Sequence, residues 1–91
     1  MEEVNIDVKE NMVTVEATIS KVVENQSYAV CYPRIDLKMA NSELITQSTS
    51  ITFSLENWSD DLKPKKGQVV LLQNIRKFKG GWRARNARPV R

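Results

Sequence analysis

Residues 12–23, MVTVEATISKVV, alternate β-branched and polar side chains, so Val13, Val15, Ala17, Ile19 and Val22 share one face of a long first strand. Such a strand must bury its apolar face. It must also pair its row of amides and carbonyls, because an open Thr/Val-rich edge is a template for aggregation. A sheet closed on itself removes every edge, and that requirement organises the reading of the rest of the chain.

The polar stretch ENQS, residues 24–27, reads as a turn, and YAVCYP follows as a second strand with Tyr28, Val30 and Tyr32 alternating against Ala29 and Cys31. Pro33 cannot donate to a ladder, so that strand bends or lies at an edge there. ANSE, residues 40–43, is a loop signal. LITQSTSITFSLEN suits one strand or two short ones split near residues 47–49. In WSDDLKPKKG, Ser59 is placed to cap one helical turn with Asp60 and Asp61 in it and Pro64 closing it. The run Val69, Val70, Leu71, Leu72 opens another strand, buried on both faces or bulged. Gly80 and Gly81 suit the two central positions of a type I′ turn, which pairs Lys79 with Trp82. Trp82, Ala84 and Asn86 then face one way, and Arg83, Arg85 and Ala87 the other. The expected fold is all-β: a small five- to six-stranded Greek-key barrel of the OB type with one short helical turn, an SH3-like barrel being the nearest competitor. Residues 1–11 are expected to form an acidic tail or a fraying first strand, and residues 12–91 the barrel, as a module of a larger protein would.

Ninety-one residues support one core, and no apolar run approaches the length of a membrane span, so a soluble domain without membrane contact is expected. The acidic start does not resemble an export signal, and a single cysteine, Cys31, fits a reducing compartment, cytoplasm or nucleus. The sequence has no histidine. That removes the commonest general base and, with only one cysteine, the usual zinc ligands, so neither enzyme activity nor a cofactor or metal is expected.

Net charge is +3, but all eleven acids lie in residues 1–62, and residues 63–91 hold ten basic side chains and no acid. Such blocks often form solvated faces. Here the basic block also has strand periodicity and aromatics, the footprint of a nucleic-acid binder. Lys65, Lys66, Arg76, Lys77, Lys79, Arg83, Arg85, Arg88 and Arg91 are candidate phosphate contacts. Four engaged phosphates on a single strand give a slope of log K against log salt of roughly −3.

Residues 51–90 resemble the second half of a cold-shock domain. Phe53, Ser54 and Leu55, then Pro64 and Gly67, then Trp82, Arg83, Ala84, Pro89 and Val90 match the FSL strand, the P-x-x-G turn and the W-R-A…P-V ending of its divergent repeats. Those repeats stand at the front of a germ-line RNA helicase of the piRNA pathway and of its cancer/testis-antigen relative. The first half departs from the bacterial pattern, with QSYAVCY in place of K-G-F-G-F-I and no histidine after the strand phenylalanine. Tyr28, Tyr32 and Phe53 are the residues left to stand in for the family's stacking aromatics.

Taken by residue type, Trp82 and Phe53 read as core and Cys31 as a small buried hydrophobe. Trp58, in a polar loop, and Phe78, between lysines, read as stacking candidates. Tyr28 and Tyr32 suit stacking or cross-strand packing equally. The expected function is a monomeric module binding single-stranded nucleic acid, RNA favoured over DNA, with low sequence preference, as part of an RNA-processing or RNA-silencing protein. The alternative is a protein-docking module with an acidic and a basic side and no nucleic-acid ligand.

Overall fold

The computed structural model describes residues 14–38 and 43–90; the expectations for residues 1–11, Met12, Val13, most of the ANSE loop and Arg91 lie outside them. Seven strands occur among the described residues: β1 (Thr14–Val23), β2 (Tyr28–Pro33), β3 (Leu37–Lys38), β4 (Leu44–Ile45), β5 (Ile51–Ser54), β6 (Val69–Phe78) and β7 (Gly81–Pro89). Five of them close a barrel in the order β1-β2-β5-β7-β6, while β3 and β4 form a separate ribbon. All barrel neighbours are antiparallel except β5 and β7. This is the OB-type arrangement of a Greek-key barrel.

β1 closes the barrel because it serves two partners. Its first half pairs with β6 (Thr14↔Gln73 to Thr18↔Val69) and its second half with β2 (Ala17↔Pro33 to Val23↔Tyr28). A register shift between Ile19 and Lys21 bends the strand between these tasks and lets Val22 return to the core after Val15, Ala17 and Ile19. At the bend Ile19 exchanges backbone hydrogen bonds with the loop before β6, through the Gln68 carbonyl and the Gly67 amide. Gly67 turns there at φ +87, a conformation that favours glycine.

The interior is a set of cross-strand rows. In one, Ala29, Phe53, Ala84, Ile75, small and large side chains alternate; another runs Cys31, Ile51, Trp82. All seven are buried. Alanines on both sides make room for the Phe53 ring in a barrel too narrow for large residues all round.

Three local expectations are corrected by this packing. The helical turn between the third and fourth barrel strands lies at Leu55–Asn57, a 3-10 turn with the Ser54 hydroxyl accepting from the Glu56 amide. Ser59 caps nothing. Its amide donates to the Ala87 carbonyl at 2.8 Å, and Trp58 is drawn beside Ala87 in a parallel bridge, so this backbone is committed to β7. Asp60 instead holds the Leu62 amide in a tight bend. A second 3-10 turn occupies Glu24–Gln26, ended by Ser27 in the left-handed region.

The β6–β7 hairpin turns one residue earlier than expected. Phe78 pairs with Gly81 and Lys77 with Trp82, which leaves Lys79 and Gly80 as the loop. Turn preference is overruled by the core: this register sets Ile75 opposite Ala84 and Leu72 opposite Ala87, whereas pairing Lys79 with Trp82 would set Ile75 against Asn86 and Leu72 against Pro89. Gly81 lies at φ +131, while Gly80 is outside the left-handed region with open space around it. Gly81→Ala is therefore expected to cost about 1 kcal/mol or more, and Gly80→Ala to stay within about 0.5 kcal/mol of the parent. Thermal melts of the two variants check the turn, since a Gly-Gly type I′ turn would penalise both.

The third correction concerns the facing of β7. Trp82 and Ala84 point inward and Arg83 and Arg85 outward, as expected, but Asn86 is exposed and Ala87 buried. Both strands change face together, β6 between Leu72 and Ile75, β7 between Ala84 and Ala87, without loss of register. Asn74 takes φ +56 at this step, and its amide donates to the Asn86 side-chain carbonyl. Asparagine tolerates that conformation better than most residues. The Val69 to Leu72 run alternates, with Val70 and Leu72 fully buried and Val69 and Leu71 half-buried.

Candidate functional site

The outward side of β2, β5 and β7 floors an open groove of about 420 Å³. One wall is the end of the first 3-10 turn, Gln26 and Ser27; the other is the tip of the β6–β7 hairpin, Phe78, Gly80 and Gly81. The floor is built by alternation. Ile51 and Phe53 are committed inward, so Thr52 and Ser54 present hydroxyls outward, and Tyr28, paired with Ser54, lies beside them. Thr52 also donates to the Trp82 carbonyl at 3.4 Å, tying the floor to β7. The groove volume falls within the range of ligand clefts, about 300–1,000 Å³.

At the rim Phe78 is 45% exposed, an unusual position for a phenylalanine, and the Arg83 guanidinium carbon lies 5.1 Å from its ring centre. The pair forms a cationic, flat platform at the hairpin tip. Arg76 is opposite Arg83 in the ladder, Lys79 occupies the loop beside Phe78, and Arg85 continues the outward row along β7.

The rest of the expected basic surface lies elsewhere. Lys77 is opposite Trp82, not on the Arg83 face; its ammonium is 5.8 Å from the Trp82 ring centre and 2.8 Å from the Glu43 carboxylate. Lys65 and Lys66 precede the start of β6, and Arg88 pairs with Leu71 near the same end. Ten residues of β6, roughly 30 Å at about 3.3 Å each, separate that end from the hairpin tip. Thus the expected basic face divides into a cluster at the groove and another at the far end of the barrel.

The aromatics divide as well. Trp58 is not a free stacking side chain: it is half-buried, lies 5.8 Å from Phe53 with the rings 17° from parallel, and donates its indole N–H to the Leu62 carbonyl at 2.7 Å. Phe53 is fully buried and out of reach of any ligand. Tyr32 is 37% exposed but pairs with Thr18 outside the groove lining, so of the expected stacking residues Tyr28 and Phe78 line the groove, with the buried Trp82 beside them. The groove residues not expected as ligand contacts are polar and mostly small: Gln26, Ser27, Ser50, Thr52 and Ser54. The signal for two of them was present, since Thr52 and Ser54 alternate with inward Ile51 and Phe53. Cys31 is buried, and burial pushes its thiol up to about 12 from 9.0, which removes it from nucleophilic chemistry at neutral pH.

No protein-family model matches the chain, and no curated protein sequence matches it either.

Proposed function

We propose that this barrel binds single-stranded nucleic acid, RNA in preference to DNA, across the groove between the Gln26–Ser27 turn and the β6–β7 hairpin, without strong sequence preference. The observation that carries the reading is the groove's place on the barrel. It spans the face of the second and third barrel strands and is walled by the loops joining strands one and two and strands four and five, where OB barrels take oligonucleotides. Its chemistry suits the same ligand: Tyr28 and Phe78 offer ring faces to bases, and Lys79, Arg83 and Arg85 offer charge to phosphates. The likeness of residues 51–90 to cold-shock repeats supports RNA as the strand and an RNA-processing or RNA-silencing protein as the parent, acting in cytoplasm or nucleus. Enzyme activity and a cofactor form no part of the proposal.

Fluorescence anisotropy of labelled oligo(U) at two salt concentrations tests it. With phosphates engaged by Lys79, Arg83 and Arg85, log K is expected to fall with log salt at a slope of about −2. Phe78→Ala is expected to weaken binding by about 1–3 kcal/mol, roughly five- to 150-fold, without loss of fold because the ring is largely outside the core. No binding at low salt, or binding indifferent to salt, sinks the proposal.

A further inference from the structure

A second hollow, of about 330 Å³, opens at the connection between β5 and β6, on the other side of the first 3-10 turn from the groove. Its apolar surface comes from Val22, Leu55, Trp58 and Leu62. Leu62 is 75% exposed, yet it is not on a loose tip. Its carbonyl accepts the Trp58 indole N–H at 2.7 Å and its amide donates to the Asp60 carboxylate at 3.2 Å, while Trp58 is stacked on the buried Phe53. An aliphatic side chain is thus held out in water by a fixed backbone, anchored to the core through one ring. Covering a leucine of this kind removes apolar surface from water and so favours whatever covers it.

The rim decides what that is. Glu24 and Asp61 border the hollow beside Asp60, whose carboxylate holds the Leu62 amide, and Lys63 is the one cation among the described residues of its lining. The carboxylates of Glu24 and Asp61 disfavour phosphates, so the occupant differs from the ligand of the groove. We propose that the hollow docks a basic peptide segment of a protein partner, with an aliphatic anchor against Leu62 and Trp58 and flanking lysines or arginines meeting the carboxylates. Electrostatic complementarity of this kind sets orientation and speeds encounter. The domain then holds a nucleic-acid strand on one side and a partner's basic tail on another, the two sites sharing the walls of a single turn, Glu24–Gln26.

The two tryptophans separate this proposal from that for the groove, since Trp58 lines the hollow and Trp82 the groove. The probe is a synthetic peptide, acetyl-GKRLLKRG-amide, titrated into the nitrogen-15-labelled chain while both indole resonances are followed. The expected result is a saturable shift of the Trp58 indole with little movement of Trp82. The double variant Asp61→Lys, Leu62→Ser, both exposed positions, is expected to weaken binding at least tenfold with its spectrum otherwise folded. A peptide with glutamates in place of the basic residues is expected not to bind. An unmoved Trp58 indole, equal binding of basic and acidic peptides, or an unaffected double variant overturns the proposal. So does a Trp58 shift produced by oligo(U), or by raising protein concentration alone, which would put nucleic acid or a second copy in the hollow. Oligo(U) binding in the groove is read independently, so either site can fail without the other.

Discussion

Replacing Phe53 with alanine lowers the unfolding free energy by about 3–5 kcal/mol, as for other fully buried aromatics. The barrel gives particular reason to expect the upper part of that range. Phe53 has no exposed surface, and its lateral neighbours on β2 and β7 are Ala29 and Ala84, too short to close the space it leaves. Loss of the ring also removes the surface on which Trp58 stacks, and with it the anchor of the loop carrying Leu62. A domain of this size has only about 5–15 kcal/mol in hand, so the variant sits close to unfolding at 37 °C. Urea denaturation followed by tryptophan fluorescence measures the loss as a lower midpoint at an unchanged slope. A loss below about 1 kcal/mol would contradict the placement of the ring.

The second large effect is alkaline. The Cys31 thiol is buried between Ile19 and Ile51, and burial pushes it up to about 12 from 9.0. Only the neutral thiol fits the fold, whereas the unfolded chain is free to ionise near 9. The contribution to stability is therefore whole below pH 9 and is lost as pH rises from 9 toward 12, at about 1.4 kcal/mol per pH unit and roughly 4 kcal/mol in full. The measurement that isolates the thiol is a difference: urea midpoints of parent and Cys31→Ala from pH 8 to 11. The parent is expected to lose stability faster above pH 9, and parallel curves would refute the burial argument. At neutral pH the same thiol is expected to resist iodoacetamide until the barrel unfolds.

Several features were legible in the sequence because they depend on which side chains share a face. The alternation from Val15 to Ile19, the inward Ala29 and Cys31, and the inward Trp82 all follow from a period of two, whereas residues 44–54 read equally as one strand or two and the structure decides for two. Edge removal then leads from alternating strands to a closed barrel. The site was less legible. Phe78 and Arg83 were visible as residue types, but their meeting over 5.1 Å depends on the hairpin register.

What the sequence determined by itself is the strand pattern, the OB-type class and the concentration of positive charge in residues 63–91. The tertiary structure decided the rest. It moved the hairpin turn to Lys79 and Gly80, reversed the facing of Asn86 and Ala87, drew Trp58 onto Phe53, and set Lys77 beside Glu43. The physical reason is common to all four. Turn preference, loop polarity and local charge are worth about 1 kcal/mol or less at each position, and rows such as Ala29, Phe53, Ala84 and Ile75 gain several kcal/mol only in one register. Those rows join residues dozens of positions apart, so they fix which outward side chains become neighbours, and hence where a ligand can lie.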